Sequence, residues 1–328
     1  MQHFPPSALI LIPSALILAT SALASGGVAE INQTCAVLTG CFPGDTAGFP
    51  VTIDGSAGRS FRLTSDLVLP DENTDGIVVG ASDIAVDLHG FTIIRAACVG
   101  ATASCVPASG SGSGVERTSS AMRGTAVRNG SIVGMGLIGV FLGDQAEVTN
   151  VRARWNRLDG INVTLGAVVV GNTTFQNGRN GIGTSFGATI STNTTYDNGG
   201  DGISVSTAST VTGNTSYGNS DDGIVSTAGS TISGNTVGQN SGIGINAGTG
   251  SIVSDNAIYS NGGGGVVTGT GSLVRGNVLR ENSPFGISTA DDTVCSGNAV
   301  SAVIGSRATI TCDVNGGGNY CNGASGCP

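Results

Sequence analysis

Residues 160–222 read GINVTLGAVVVGNTTFQNGRN, GIGTSFGATISTNTTYDNGGD and GISVSTASTVTGNTSYGNSDD, which are three units of 21 residues. Each unit opens on Gly-Ile and carries two asparagines at fixed places. The glycine column contains Gly139, Gly160, Gly181, Gly202, Gly223, Gly244, Gly265 and Gly286. The two asparagine columns contain Asn172, Asn193, Asn214, Asn235, Asn256, Asn277 and Asn298, and Asn156, Asn177, Asn198, Asn219, Asn240, Asn261 and Asn282. A fixed period near 20 residues indicates stacked units that bury their apolar surface only against each other.

The content of each unit predicts which solenoid forms. Short strand-like pieces such as Val168–Val170 alternate with Gly, Asn, Ser and Asp. No unit contains ten residues with the 3.6-residue period of a helix. We therefore expect an all-β, parallel β-solenoid with one coil per repeat and coils about 4.8 Å apart. Asparagine suits its corners, because it tolerates left-handed backbone and its amide can bond to the asparagine of the next coil.

Residues 77–302 resemble the right-handed parallel β-helix repeat family, which includes the pectate-lyase-like superfamily. The resemblance rests on the Gly-Ile and asparagine columns, and it implies a right-handed β-helix of about ten coils. Members of this family include lyases, hydrolases, epimerases and non-catalytic surface proteins, so the resemblance does not select one activity.

The rest of the chain is divided by changes in composition. Residues 1–24 are apolar, contain no charged side chain and end in Ala-Leu-Ala, which predicts a signal peptide and hence a secreted protein. We expect an N-terminal cap over residues 25–70, with residues 61–69 as a strand over the open end, and a β-helix over residues 71–302. We interpret residues 95–121 as an insertion loop, residues 303–328 as a Cys-rich C-terminal cap, and His89 as a corner residue. No membrane span is expected after signal cleavage, and the chain is expected to be a monomer.

The eight cysteines also favour export. Their spacing suggests pairing between nearest neighbours, although eight cysteines allow 105 pairings and the sequence does not choose among them. The suggested pairs are Cys35 with Cys41, Cys98 with Cys105, Cys295 with Cys312, and Cys321 with Cys327. A zinc site is disfavoured because the Cys-x-x-Cys spacing is absent, so disulfides in an oxidising compartment are expected.

Composition excludes several classes of function. All 13 basic residues are arginine, and His89 is the only histidine beyond the predicted signal peptide. A lysine Schiff base, a P-loop and a site with two histidine ligands are therefore excluded. A net charge of -9 argues against a nucleic-acid partner.

One outward column suggests a ligand. Alternation along residues 172–175 places position 174 inward and position 175 outward. The outward column contains Phe175, Tyr196, Tyr217, Gly238 and Tyr259. Sugar rings have apolar C–H faces that lie on aromatic planes, so these four aromatic residues are candidates for binding a polysaccharide. Stacking between the rings would also stabilise the solenoid without a ligand.

A second column is acidic and supports a catalytic alternative. Asp159, Asn180, Asp201 and Asp222 follow one another at 21-residue spacing, and carboxylates one coil apart repel unless a cation, an arginine or a proton lies between them. Hydrolases of the pectate-lyase-like superfamily use aspartates on adjacent coils, and some of its lyases use an arginine base with Ca²⁺, so the resemblance makes Asp201 and Asp222 candidate catalytic carboxylates and Arg179 a candidate base in a lyase. Asp159 and Asp201 are candidate Ca²⁺ ligands, although no cofactor is required. Aspartate as a turn residue before glycine is the simpler interpretation.

Three functional interpretations remain open at this point. The first is a secreted, non-catalytic protein that binds extracellular polysaccharide through the aromatic column. The second is a polysaccharide lyase or glycoside hydrolase that acts on a uronate-containing polysaccharide. The third is a structural or adhesive surface protein.

Overall fold

The computed structural model describes residues 27–301 and 310–321 and the backbone of residues 324–325. The chain is a parallel β-solenoid with about twelve coils, which confirms the fold class expected from the repeat. The predicted signal peptide lies outside the described residues. Each full coil contributes strands to three faces, which we number in chain order.

The first face is a sheet of twelve parallel strands, counted over the described residues. Its strands are Val51–Ile53, Ile77–Val79, Val115–Arg117, Val140–Phe141, Ile161–Val163, Ile182–Thr184, Ile203–Val205, Ile224–Ser226, Ile245–Ala247, Val266–Thr268, Ile287–Thr289 and Ile310–Thr311.

The second and third faces form one sheet, because two long strands, Ala126–Val133 and Glu147–Arg154, continue from one face to the other. The other second-face strands are Val28–Ile31, Ser60–Leu63, Ala85–Asp87, Val168–Val170, Thr189–Ser191, Thr210–Thr212, Thr231–Ser233, Ile252–Ser254, Leu273–Arg275, Val294–Ser296 and Val314–Asn315. The other third-face strands are Leu67–Leu69, Thr92–Arg95, Thr173–Phe175, Thr194–Tyr196, Thr215–Tyr217, Thr236–Gly238, Ala257–Tyr259, Val278–Arg280, Ala299–Ser301 and Tyr320–Cys321.

The core consists of one inward column from each face. The columns that contain Ile161 and Val169 are apolar and fully buried, as expected. The third inward column is apolar in its first coils and again from Val237 onward, and between them it contains three small polar residues, the buried Thr174, Thr195 and Ser216. The alternation that places position 174 inward is therefore confirmed.

Both asparagine columns are buried hydrogen-bond ladders at the corners beside the third face. Asn193 Nδ2 donates to Asn214 Oδ1 at 3.0 Å, and the Asn193 backbone N–H donates to the same oxygen at 2.9 Å. Asn198 makes the same two bonds to Asn219. Each ladder thus satisfies backbone groups at a corner where no strand partner is present.

The N-terminal end of the solenoid is covered by a strand and a helix. Val28–Ile31 pairs in parallel with Ser60–Leu63, and the helix Gln33–Leu38 follows it. The side chain of Gln33 accepts a hydrogen bond from the Val68 backbone N–H and donates one to the Val68 carbonyl, at 2.8 and 3.2 Å. The Gln33 side chain therefore satisfies the backbone N–H and carbonyl of Val68 in the edge strand Leu67–Leu69, and this prevents another strand from pairing there.

Two boundaries differ from the sequence-based expectation. Parallel pairing on the first face begins at Val51–Ile53, which pairs with Ile77–Val79, so the coils start before residue 71. Residues 61–69 do not form one covering strand, because they contribute to two faces of a regular coil. The expected insertion loop, residues 95–121, contains the 3₁₀ turn Ala96–Cys98 and also the first-face strand Val115–Arg117.

Three of the suggested disulfides are confirmed. They join Cys35 to Cys41, Cys98 to Cys105, and Cys295 to Cys312. Cys321 is also disulfide-bonded, and its expected partner Cys327 lies outside the described residues. A short antiparallel pair, Tyr320–Cys321 with Ala324–Ser325, lies at the C-terminal end. His89 lies at a corner with left-handed backbone, φ 51°, as expected.

Candidate functional site

The candidate aromatic residues project from the third face, but three of their rings stack on one another along the solenoid axis. The ring centroids of Phe175 and Tyr196 are 4.8 Å apart with planes 5° from parallel. Those of Tyr196 and Tyr217 are 5.1 Å apart with planes 3° from parallel. Both faces of the Tyr196 ring are therefore covered by its neighbours, and mainly the ring edges face outward. The expected row of outward-facing ring surfaces is therefore not present. Within the stack of three rings, only the outer face of each end ring lacks a ring of the stack against it.

Tyr259 does not extend this stack. Gly238 occupies the intervening coil, and the Tyr259 ring lies across it so closely that a Cβ on Gly238 would be 2.3 Å from a ring carbon. The Tyr259 ring therefore fills the space that a side chain at position 238 would occupy. Phe175, Tyr196 and Tyr217 therefore form one stack, and Tyr259 lies apart from it.

The other end of the stack opens into a groove. Phe175, the first ring of the stack, is half-buried and borders a space of about 440 Å³ that also contacts Arg152 and Arg154. Its floor continues toward the N-terminus along Val133 and Ile94. We call this space the Phe175 groove. Its volume is within the range typical of small-ligand sites.

The predicted insertion loop forms one wall of the Phe175 groove. Val99 and Gly100 line it, and the neighbouring Cys98 packs on Val133 and Trp155 in a small buried cluster. Arg95 donates from Nε to the Gly134 carbonyl at 2.9 Å. The disulfide between Cys98 and Cys105, together with Arg95, thus fixes a loop that would otherwise lack strand contacts. The insertion therefore borders the Phe175 groove.

The four arginines near residue 155 serve three different purposes. Arg152 and Arg154 project from one strand into the Phe175 groove. Arg157 donates from Nε to the Gly136 carbonyl at 2.6 Å, and Arg179 binds Asp159. The sequence shows a single basic cluster, and the structure divides it because Arg157 and Arg179 lie in turns rather than on the strand.

The acidic column is a ladder of side-chain to backbone bonds. Asp159 Oδ1 accepts from the Asn180 N–H at 3.0 Å, Asn180 Oδ1 from the Asp201 N–H at 2.9 Å, and Asp201 Oδ1 from the Asp222 N–H at 3.2 Å. Asp222 Oδ1 continues the ladder by accepting from the Ile243 N–H at 2.6 Å. These residues therefore have a structural role at the turn before the first face, whichever chemistry they support.

Asp159 and Arg179 form a two-point ion pair. Arg179 Nε and Nη2 lie 2.7 and 2.6 Å from the two Asp159 oxygens, and the Asp159 side chain is 0% exposed. The hydrogen bond and charge of Asp159, with a smaller contribution from Asp201, raise the pKa of Arg179 above its ordinary value. A lyase base needs a lowered pKa, so Arg179 is poorly suited to that role. Asp159 is occupied by the arginine and is a poor Ca²⁺ ligand.

Asp201 and Asp222 approach Asp221, which the sequence placed beside the column. One carboxylate oxygen from each of the three lies within 4.8 Å of the other two. Burial, reinforced by the charges of Asp221 and Asp222, raises the pKa of Asp201 to about 6. Three carboxylates at this separation could hold a hard cation such as Ca²⁺, which prefers oxygen ligands. A polar pocket of about 190 Å³ lies on the adjoining first face and is lined by Arg179 and Ser204 among others.

The raised pKa of Asp201 predicts how stability depends on pH. A carboxyl whose folded-state pKa is raised stabilises the fold while it is protonated, and this contribution is lost as the pH rises from about 4 to about 6. We therefore expect Asp201→Asn to raise the unfolding free energy at pH 7.5 in EDTA by roughly 1–2 kcal/mol, allowing for partial solvent screening. Below about pH 4 the variant and wild type should be equally stable.

Urea unfolding at pH 3.8, 5.0 and 7.5 checks this expectation, with Asp197→Asn as the control for an aspartate outside the cluster. An Asp201→Asn variant less stable than wild type at pH 7.5 in EDTA would show that the ionised carboxylate is favourable in the fold, and would contradict the prediction.

Among the described residues, no helix has the length and hydrophobicity needed to cross a membrane.

Comparison with known proteins supports the architecture. The family model described as "Right handed beta helix region" matches residues 136–283 and 183–326. The A-module of a mannuronan C-5 epimerase from Azotobacter vinelandii is 14% identical over 81% of this chain and 92% of that one, with a TM-score of 0.51. A periplasmic alginate epimerase is 16% identical over 92% of this chain and 78% of that one, with a TM-score of 0.50. The Dettilon tailspike protein is 14% identical over 90% of this chain and 68% of that one, with a TM-score of 0.50.

No curated protein matches this chain at a significant level. At these identities the likeness to the solved structures is one of fold.

Proposed function

This chain belongs to the right-handed β-helix family, and we propose that it is an exported, non-catalytic protein that binds an extracellular polysaccharide in the Phe175 groove. The observation that supports this most is the walled groove beside Phe175, which brings this ring together with the charged groups of Arg152 and Arg154. An apolar surface with a few convergent polar groups is the usual composition of a small-ligand site. Three confirmed disulfides favour an oxidising compartment.

The geometry supports one sugar ring more strongly than a row of them. Phe175 is the ring of the stack that lines the Phe175 groove, and the part of it that lines the groove beside the Arg154 guanidinium can contact one pyranose C–H face. Along the rest of the third face a polymer would meet ring edges, tyrosine hydroxyls and a parallel column of threonine hydroxyls. That column contains Thr173, Thr194, Thr215 and Thr236, in register with the rings. Hydroxyls that can both donate and accept suit the hydroxyl groups of a saccharide.

We expect Phe175→Ala to weaken binding of a recognised polysaccharide about ten-fold, because the sugar loses its stacking partner and ten-fold corresponds to about 1.4 kcal/mol. Tyr259→Ala is the matched control, since its ring lies outside the stack and should leave the affinity unchanged. Isothermal titration against a panel of neutral and acidic polysaccharides measures both. Equal affinities of Phe175→Ala and wild type, or no binding to any member of the panel, would contradict the proposal.

A second candidate function is cleavage of a polysaccharide at the cluster of Asp201, Asp221 and Asp222. The observation that favours it is the pKa of Asp201, because a carboxyl that titrates at about 6 can act as a general acid or base near neutral pH. Reducing ends and unsaturated products, measured with and without Ca²⁺, test for hydrolysis and for elimination. Activity that disappears in Asp201→Asn would replace the non-catalytic proposal, and activity retained in Asp201→Asn would exclude this cluster.

A further inference from the structure

Two arginines share the Phe175 groove. Arg152 and Arg154 lie on the same outward side of the strand Glu147–Arg154, where alternate residues are about 6.6 Å apart. Arg152 is in register with Thr173, and Arg154 with Phe175. The two arginines therefore lie one coil before the row that contains Thr173 and Phe175, and both line the groove beside Phe175.

Neither arginine has an acidic partner within ion-pair distance among the residues that the structure describes. Among the other described arginines, five have one, namely Arg62, Arg95, Arg128, Arg179 and Arg280, and Arg59, Arg117, Arg123, Arg157 and Arg275 do not, so what distinguishes Arg152 and Arg154 is that they share one groove. The groove does contain the carboxylate of Asp66, but this accepts the Thr92 N–H at 2.8 Å and is three coils from Arg152, or about 14 Å. Two unpaired cations side by side are unusual on a chain with a net charge of -9.

Arg154 is held by an aromatic ring instead of a carboxylate. Its Cζ lies 3.9 Å from the ring centroid of Trp155 and 5.9 Å from that of Phe175. Trp155 is 4% exposed, and its Nε1 donates to Gln176 Oε1 at 2.8 Å. Stacking fixes the plane of a guanidinium and leaves its N–H edge free to bind a planar or tetrahedral anion.

The backbone at Trp155 is held in an uncommon conformation. Its φ of 59° is left-handed, a region that bulky side chains rarely adopt. The same corner position in the following coils is occupied by Gln176, Asp197 and Gly218. A tryptophan is therefore placed at a costly corner where its ring supports Arg154. The left-handed backbone itself belongs to this corner in the following coils as well, so the feature particular to this coil is the tryptophan side chain that stacks on Arg154.

Like charges at this separation also disfavour each other. Burial, and then the charge of Arg152, lower the pKa of Arg154 below its ordinary value. An anion between the two guanidinium groups would remove this repulsion and gain hydrogen bonds to charged donors.

We propose that the Phe175 groove selects an anionic saccharide, with Arg152 and Arg154 binding a carboxylate, sulfate or phosphate substituent of the sugar that lies on Phe175. This inference rests on the proposed function and identifies its ligand class. Arg152 and Arg154 contact the anion, and Trp155 is a positioning residue that orients Arg154.

The test compares polymers that differ only in charge. Polygalacturonate and its fully methyl-esterified form share one backbone, as do dextran sulfate and dextran. We expect wild type to bind an acidic member at least ten-fold more tightly than its neutral counterpart, and the difference to shrink as salt is raised. Preference for polygalacturonate alone would identify a carboxylate as the bound group, and preference for dextran sulfate alone would identify a sulfate. Preference for both acidic polymers would show that the site recognises negative charge without distinguishing the two groups.

Variants assign the preference to these two arginines. Arg152→Gln and Arg154→Gln should each weaken binding of the acidic polymer about ten-fold and leave the neutral one unchanged. Arg154→Lys keeps the charge but loses the planar stacking on Trp155, so it should also weaken binding. Arg275→Gln is the control, because it removes one exposed positive charge from the second face far from the groove. Melting temperatures identify any misfolded variant, and the exposed Arg152 keeps the test valid if Arg154→Gln does not fold.

The outcomes separate this inference from the proposed function. Equal binding of neutral and acidic polymers, with a loss in Phe175→Ala, would overturn the anion site and leave saccharide binding intact. Preference for acidic polymers that persists in both glutamine variants would also overturn it. Absence of binding to every polymer would overturn both proposals.

Discussion

An Asn214→Ala variant is expected to lose roughly 3 kcal/mol of unfolding free energy and about 6 °C in melting temperature. Asn214 is 1% exposed and has an asparagine neighbour on each side in the ladder that contains Asn172 and Asn298. Its Oδ1 accepts from the N–H and Nδ2 of Asn193, and its Nδ2 donates to Asn235 Oδ1 and to the Ile190 carbonyl. Alanine would leave buried groups on both adjacent coils without partners, and each unsatisfied group costs about 1–3 kcal/mol.

Thermal unfolding followed by circular dichroism measures this loss. Asn150→Gly is a suitable control, because Asn150 is exposed, has left-handed backbone that glycine tolerates, and makes one side-chain bond of 3.4 Å to Asn129. The control should remain within about 0.5 kcal/mol of wild type. An Asn214→Ala variant as stable as the control would mean that water replaces the lost bonds and that the ladder is not sealed from solvent.

An Arg179→Met variant is expected to lose about 3 kcal/mol, because it leaves the carboxylate of Asp159 buried without its ion-pair partner. Two hydrogen bonds to Asp159 would remain, from the Asn180 N–H at 3.0 Å and from Asn162 Nδ2 at 2.7 Å. These neutral donors compensate only part of the charge.

The double variant Asp159→Asn/Arg179→Met should recover most of that loss. Asn180 already shows that an asparagine in this column can accept the next backbone N–H. Urea unfolding of the two single variants and the double variant gives the coupling energy directly. Additive losses of unfolding free energy in the double variant would show that Asp159 and Arg179 stabilise the fold independently. That result would contradict the prediction that they act as one coupled, buried ion pair.

The repeat predicts the fold because it returns one residue type to one place in every coil. Gly160, Ile161 and Asn172 belong to columns that bury or bond identical groups, so their roles follow from spacing alone. The first coils are not predictable in this way. Val51 pairs with Ile77, Ile77 with Val115, and Val115 with Val140, so these coils advance by 26, 38 and 25 residues and have no common period.

The candidate site was only partly predictable. Alternation correctly places Phe175 and Tyr196 outward, but it does not specify the orientation of a ring about its own side-chain bonds. Whether ring faces point outward or at each other depends on the ring in the next coil. The Phe175 groove also needs a wall from residues 99–100, which approach Arg154 only because a disulfide and Arg95 fold the insertion back. The columns contain no signal for that contact.

The ladders also bear on how the length of this chain can change. Every ladder bond joins residues 21 positions apart, and each coil from Gly160 to Asn282 contacts mainly the coil before and the coil after it. Deleting or duplicating one whole unit in this region would rejoin the same partners at the new junction, whereas a change of any other size would put both columns out of register. The array can therefore be lengthened or shortened in whole units, and where the changed unit lies beyond the one that contains Phe175, the extent of the outer faces changes while the Phe175 groove keeps its lining residues.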